Sequence, residues 1–144
     1  MTELERKAEL QREYNKAKRK LEEYKSKYKN SANEIKELEE LINKLQAHKK
    51  KIENALDGIL STIFKRSSSL NPNSKLRDNY NREAKKIIKG QNSSRALERL
   101  NSAINKSKKK ILELDDNVEY YNQKVNYYQN RVNELRIQIN NIQV

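Results

Sequence analysis

From Leu97 to Ile142 the chain places a seam residue alternately three and four positions on: Leu97, Leu100, Ile104, Ser107, Ile111, Leu114, Val118, Tyr121, Val125, Tyr128, Val132, Leu135, Ile139 and Ile142. Ser107 alone is not apolar. A stripe this narrow and this regular is the seam of a coiled-coil helix, and it must lie along another helix to be shielded from water. The N-terminal part supplies one, through Leu10, Tyr14, Ala17, Leu21, Tyr24, Tyr28, Ser31, Ile35, Leu38, Ile42, Leu45, Lys49, Ile52, Leu56, Ile59 and Ile63. Only Ser31 and Lys49 interrupt that second seam. With Gly 2 and Pro 1 in 144 residues, little else breaks a helix.

The expected architecture is all-α: an elongated antiparallel helical hairpin, a coiled coil, with a short third helix at the tip, in one domain spanning 1–144. Its helices are expected at 3–64, 72–89 and 94–142. Gly58 invites a bend or an early stop in the first. Arg66-Ser67-Ser68-Ser69-Leu70 reads as loop, Asn71-Pro72 as a cap with a first-turn proline, and Gly90 as a helix stop. Between them Leu76, Tyr80, Ala84 and Ile87/Ile88 recur at helical spacing, and Gln91 to Ser94 offer polar caps for the last helix.

Two registers compete. One sets Lys49 opposite Ser107 and Tyr28 opposite Tyr128; the other, one heptad away, sets Lys49 opposite Leu114. The first is preferred because it spares a charge from facing a methyl surface, although its flanking charges match less well. In that register Lys49, Lys50 and Lys51 lie level with Lys106, Lys108, Lys109 and Lys110, while Glu39 lies near Asp115 and Asp116. Like charges at one level repel, a mismatch that a second protein of opposite pattern would relieve. Tyr120 and Tyr127, seven apart on an outward position, form an exposed aromatic stripe suited to anchoring a partner helix.

Cys 0 and His 1 leave no thiolate or histidine metal cluster to build, and no cofactor is expected. Glu39 with Asp115 is the one conceivable acid/base pair, but a convex helical surface gives it no pocket, so no enzymatic activity is expected. The polar start reads as no signal peptide, and no apolar run approaches the roughly 20 residues of a membrane span. A cytoplasmic protein without membrane insertion is the expectation. The formal net charge of +12 admits nucleic acid as a partner through the lysine belt. Adenine- and thymine-rich codons account equally for a chain rich in Lys, Asn, Ile and Tyr.

A helical hairpin with a brief Ser/Pro-containing break, a second long helix beginning Leu97-Glu98-Arg99-Leu100-Asn101-Ser102-Ala103-Ile104, and a lysine- and asparagine-rich composition resembles the small helical accessory proteins of LXG toxins in type VII secretion. These are related to WXG-type hairpins, whose Trp-x-Gly turn has no counterpart in a chain with Trp 0. The resemblance implies a non-enzymatic adaptor or chaperone. It would bind the helical N-terminal region of a toxin, beside other small helical accessory proteins, keep it soluble, and be secreted with it or stay behind. The expected partner-binding residues are Tyr120, Tyr127, the lysines of the belt, Glu39, Asp115 and Asp116, and homo-oligomerisation is a further expectation. The alternatives are sequence-independent nucleic-acid binding and a structural coiled-coil spacer or phage assembly protein.

Overall fold

The computed structural model describes residues 2–69, 75–88 and 90–142, and every regular element among them is helical: α1 (Glu3–Ser68), α2 (Lys75–Ile88) and α3 (Gln91–Asn140). Asn71-Pro72 and the side chains of Ile87, Ile88, Gln91 and Asn92 lie outside the described residues. The fold is all-α, an antiparallel hairpin of α1 and α3 with α2 in the connection. Its contacts divide it into two compact units, unit 1 from Met1–Glu37 with Lys110–Val144 and unit 2 from Leu38–Lys109.

Local chemistry sets the helix ends. At the start of α1 the Glu5 amide donates to Thr2 Oγ1 at 3.1 Å while the Thr2 amide donates to Glu5 Oε2 at 3.2 Å. This reciprocal capping box satisfies two otherwise orphaned ends of the helix backbone chemistry. At the other end α1 continues to Ser68, through residues expected as loop. The serines explain the extension: Ser68 Oγ donates to the Lys65 carbonyl at 2.8 Å and Ser69 Oγ to the Arg66 carbonyl at 2.6 Å, occupying acceptors the last turn leaves open. Gly58 does not stop the helix. Thr62 Oγ1 donates back to the Gly58 carbonyl at 3.0 Å. α3 begins at Gln91, directly after Gly90, so the polar run expected to precede it forms its first turn instead, with the Ser94 amide bonded to the Gly90 carbonyl at 3.3 Å.

In unit 1 the core is the seam. Ala17, Leu21, Val132 and Leu135 are buried together, with Leu10, Tyr14, Val125 and Tyr128 packed against them. Leu135 is completely shielded, at 0% exposure. The small Ser31 is also buried in the α1 seam, where a larger side chain would hold the helices apart.

The register is neither of the two weighed from sequence. Tyr24 lies between Tyr121 and Tyr128, at ring-centroid distances of 6.2 and 5.7 Å, which sets it level with Val125. Glu13 pairs with Arg131 at 3.1 Å, and the Arg136 guanidinium reaches the Tyr14 hydroxyl. These contacts slide the helices one heptad, about 10 Å, from the register that would oppose Tyr28 and Tyr128.

Unit 2 agrees with this by itself. Leu56 and Leu60 of α1 share a groove with Ser93, Ser94 and Leu97 of α3, and Ile42, Ile104 and Ser107 are buried. The same spacing puts Ser107 level with Ile42 and Lys49 level with Leu100. The lysine that argued against such a layer does not resist it: its side chain keeps 33% exposure and its ammonium turns outward to Glu53 at 3.8 Å. A lysine stem can cover apolar surface while its head stays in water, so the expected penalty is avoided. In α2, Ala84 is buried.

Candidate functional site

Seven of the eight tyrosines fall in unit 1. Five of them converge, because α1 presents Tyr24 inward while α3 carries two adjacent pairs, Tyr120-Tyr121 and Tyr127-Tyr128, one heptad apart. Tyr24 stacks on Tyr128 with an interplanar angle of 12° and meets Tyr120 edge-on at 6.4 Å. Tyr120 leans on Tyr121 at 5.8 Å, and Tyr127 on Tyr128 at 5.0 Å, both T-shaped. The offset and edge-to-face arrangements are those the ring quadrupoles favour.

Tyr120 and Tyr127 form the outer layer, 48% and 60% exposed. Each rests on a partly buried tyrosine, so its rotamer is held before anything binds. Such an aromatic loses less conformational freedom on docking than one on a bare helix. Cations frame the cluster: Lys27 Nζ lies 5.3 Å from the Tyr24 ring centroid and Lys124 Nζ lies 5.6 Å from that of Tyr120. Beside them Glu13, Lys16, Ala17, Lys20, Tyr127, Tyr128 and Arg131 line an open groove of about 280 Å³.

Three groups here titrate away from their ordinary values. The Glu23 carboxyl is lowered, first by its hydrogen bond with Lys27 and then by the charge of Lys20. Lys27 is raised, first by that hydrogen bond to Glu23. The Tyr14 hydroxyl is lowered chiefly by its hydrogen bond with Arg136. All three lie in water, and their shifts reflect a surface ion pair of Glu23 with Lys27 and a hydrogen bond between Arg136 and the Tyr14 hydroxyl.

The charged residues expected as a joint surface are distributed differently. Lys49, Lys50 and Lys51, with Lys106, Lys108 and Lys109, belong to unit 2, but the register separates the two groups by a heptad. Lys49–Lys51 stand level with Glu98 to Leu100, whereas Lys109 stands level with Glu40. The belt of like charges therefore does not form in unit 2, because α3 is displaced relative to the expected pairing. Lys110 belongs to unit 1, where it lies 4.0 Å from Glu113. Glu39 falls in unit 2 and Asp115 and Asp116 in unit 1, all three exposed.

Among the described residues no group of three or more His, Cys, Asp or Glu side chains is placed to hold a metal ion. Helical spacing identifies the outer tyrosines but not that Tyr24 reaches Tyr120 directly and backs Tyr127 through Tyr128. The signal was present in the adjacency of an inward and an outward tyrosine in both Tyr120-Tyr121 and Tyr127-Tyr128. Comparison of the chain with protein-family models, curated proteins and solved structures returns no match.

Proposed function

We propose that this chain is a non-enzymatic helical adaptor that completes a bundle with a helix of another protein, using the Tyr120/Tyr127 face of unit 1. The observation that carries the reading is the two-layer tyrosine cluster. Two exposed rings backed by three partly buried ones form a rigid, amphipathic anchor, and such rings dominate the binding energy of many interfaces. The groove between Lys16, Lys20 and Tyr127 gives an incoming helix a place for its own side chains.

The resemblance to LXG toxin accessory proteins makes the helical N-terminal region of a type VII secreted toxin the proposed partner, held soluble and accompanied towards secretion. The test is co-purification with such a region, followed by size-exclusion chromatography with light scattering. The adaptor reading expects a stoichiometric complex, weakened about 10- to 100-fold by Tyr120→Ala with Tyr127→Ala. A stable monomer that ignores toxin N-terminal regions, or a complex indifferent to both substitutions, would refute it.

A further inference from the structure

The net charge is not spread along the chain. Residues 61–99 hold 10 Lys/Arg against 3 Asp/Glu, so +7 of the total +12 falls in this one part of unit 2. It comprises the last turns of α1, all of α2 and the start of α3. Among the described residues its one ion pair is Lys86 with Glu83 at 3.4 Å, while Lys65, Arg66 and Lys75 are exposed and Arg77 is half-buried.

The same stretch exposes large apolar side chains. Phe64 is 72% exposed and Leu76 is 65% exposed, each beside two cations in sequence: Phe64 before Lys65-Arg66, and Leu76 between Lys75 and Arg77. Phe64 is the most exposed of the large apolar side chains described. The two groups lie twelve positions apart in sequence, one in the last turns of α1 and the other in the first turn of α2.

We propose that this part of unit 2 binds the surface of an anionic lipid bilayer, with Phe64 and Leu76 entering the boundary of the acyl region and the adjacent cations holding acidic headgroups. A phenyl ring and an isobutyl group without polar tips gain from hydrocarbon, and flanking Lys and Arg gain from the negative potential of the leaflet. Nucleic acid would satisfy the charge but has no apolar layer for Leu76 to enter. The binding is peripheral: no described helix is long and apolar enough to cross a membrane. It uses unit 2 and does not depend on the tyrosine face of unit 1.

Sedimentation of the full chain with phosphatidylcholine vesicles, with and without phosphatidylglycerol, tests the proposal. Binding is expected to the anionic vesicles alone, falling as salt rises. Phe64→Ser should lower the vesicle affinity about tenfold, and Lys65→Glu with Arg66→Glu should abolish it. Because the chain has Trp 0, Phe64→Trp adds a unique probe whose emission should shift to the blue on anionic vesicles, while Ile137→Trp in unit 1 should not shift. Equal binding to neutral vesicles, wild-type affinity in Phe64→Ser, an unshifted Phe64→Trp, or displacement from vesicles by a short DNA duplex would each overturn it.

Discussion

Replacing Leu135 by Ala tests the seam at its most shielded point. The substitution deletes three carbons from a side chain with 0% exposure, in contact with a cluster of Ala17, Leu21 and Val132. At roughly 0.8 kcal/mol per buried methylene the lost transfer energy is about 2.4 kcal/mol. A residual cavity adds to this, and buried Leu→Ala changes span about 2 to 5 kcal/mol. Two helices close over a void more readily than a thick core does, so a loss of about 3 kcal/mol is expected. Ile137→Ala is the matched control, two residues along the same helix and 60% exposed, and should stay within about 0.5 kcal/mol of the parent. Urea unfolding followed by tyrosine fluorescence reports on unit 1, where seven of the eight tyrosines lie. With a slope of about 1 to 3 kcal/mol per molar, the Leu135 variant should unfold at a clearly lower urea concentration. Indistinguishable midpoints for the two variants would refute the packing on which the register rests.

The Tyr24–Tyr128 stack should show a coupling of about 0.5 to 1.5 kcal/mol in a Tyr24→Leu, Tyr128→Leu double-mutant cycle; a coupling of zero would show that the rings are merely adjacent. Gly58→Ala should stabilise the chain by about 0.5 to 1 kcal/mol, since apart from its chain neighbours and the backbone of its own helical turns nothing lies within 4 Å of the position its Cβ would take, and thermal unfolding that is unchanged or lowered would count against an open helical site there. The lowered Glu23 carboxyl contributes stability above its unfolded pKa that is lost as pH falls through the folded value, while the raised Lys27 contributes below its own unfolded value and loses it at alkaline pH. Thermal scans on the acid side should therefore fall slightly more steeply for the parent than for Glu23→Gln, and parallel slopes would contradict the pairing.

The seams were legible in the sequence because burial follows the heptad. All fourteen seam positions from Leu97 to Ile142 are buried or half-buried, and in α1 only Tyr28 and Ile59 of the seam are exposed, at 39% and 46%. The register was not legible, for a physical reason. A shift of one heptad maps one apolar seam onto another, so Lys49, Ser31, Ser107 and the flanking charges alone distinguish the alternatives. Exposed pairs are worth roughly 0.2 to 1 kcal/mol, and a seam lysine escapes its penalty by reaching Glu53. The interlock of Tyr24 between Tyr121 and Tyr128 outweighs both.

The candidate surface was half legible in the same way. The outward stripe of Tyr120 and Tyr127 follows from helical periodicity, and both rings are exposed. The contact of Tyr24 with Tyr120, and its stack on the Tyr128 that backs Tyr127, depend on register and could not be read from one helix. The lysine belt failed for the same cause, since it required Lys49 to stand level with Ser107. The concentration of positive charge in 61–99 needs no structure to count, but its association with an exposed Phe64 does.

Disulfide trapping in unit 1 measures the central claim directly, because the chain has Cys 0 and no native thiol competes. Ala17→Cys paired with Val132→Cys joins two positions buried in one cluster, whereas Ala17→Cys paired with Ile139→Cys would join the layer expected one heptad away. Under mild oxidation of the monomer the first pair should close rapidly and the second remain reduced. Rapid closure of the second pair with an open first pair would contradict the register, and with it the tyrosine surface assigned to binding.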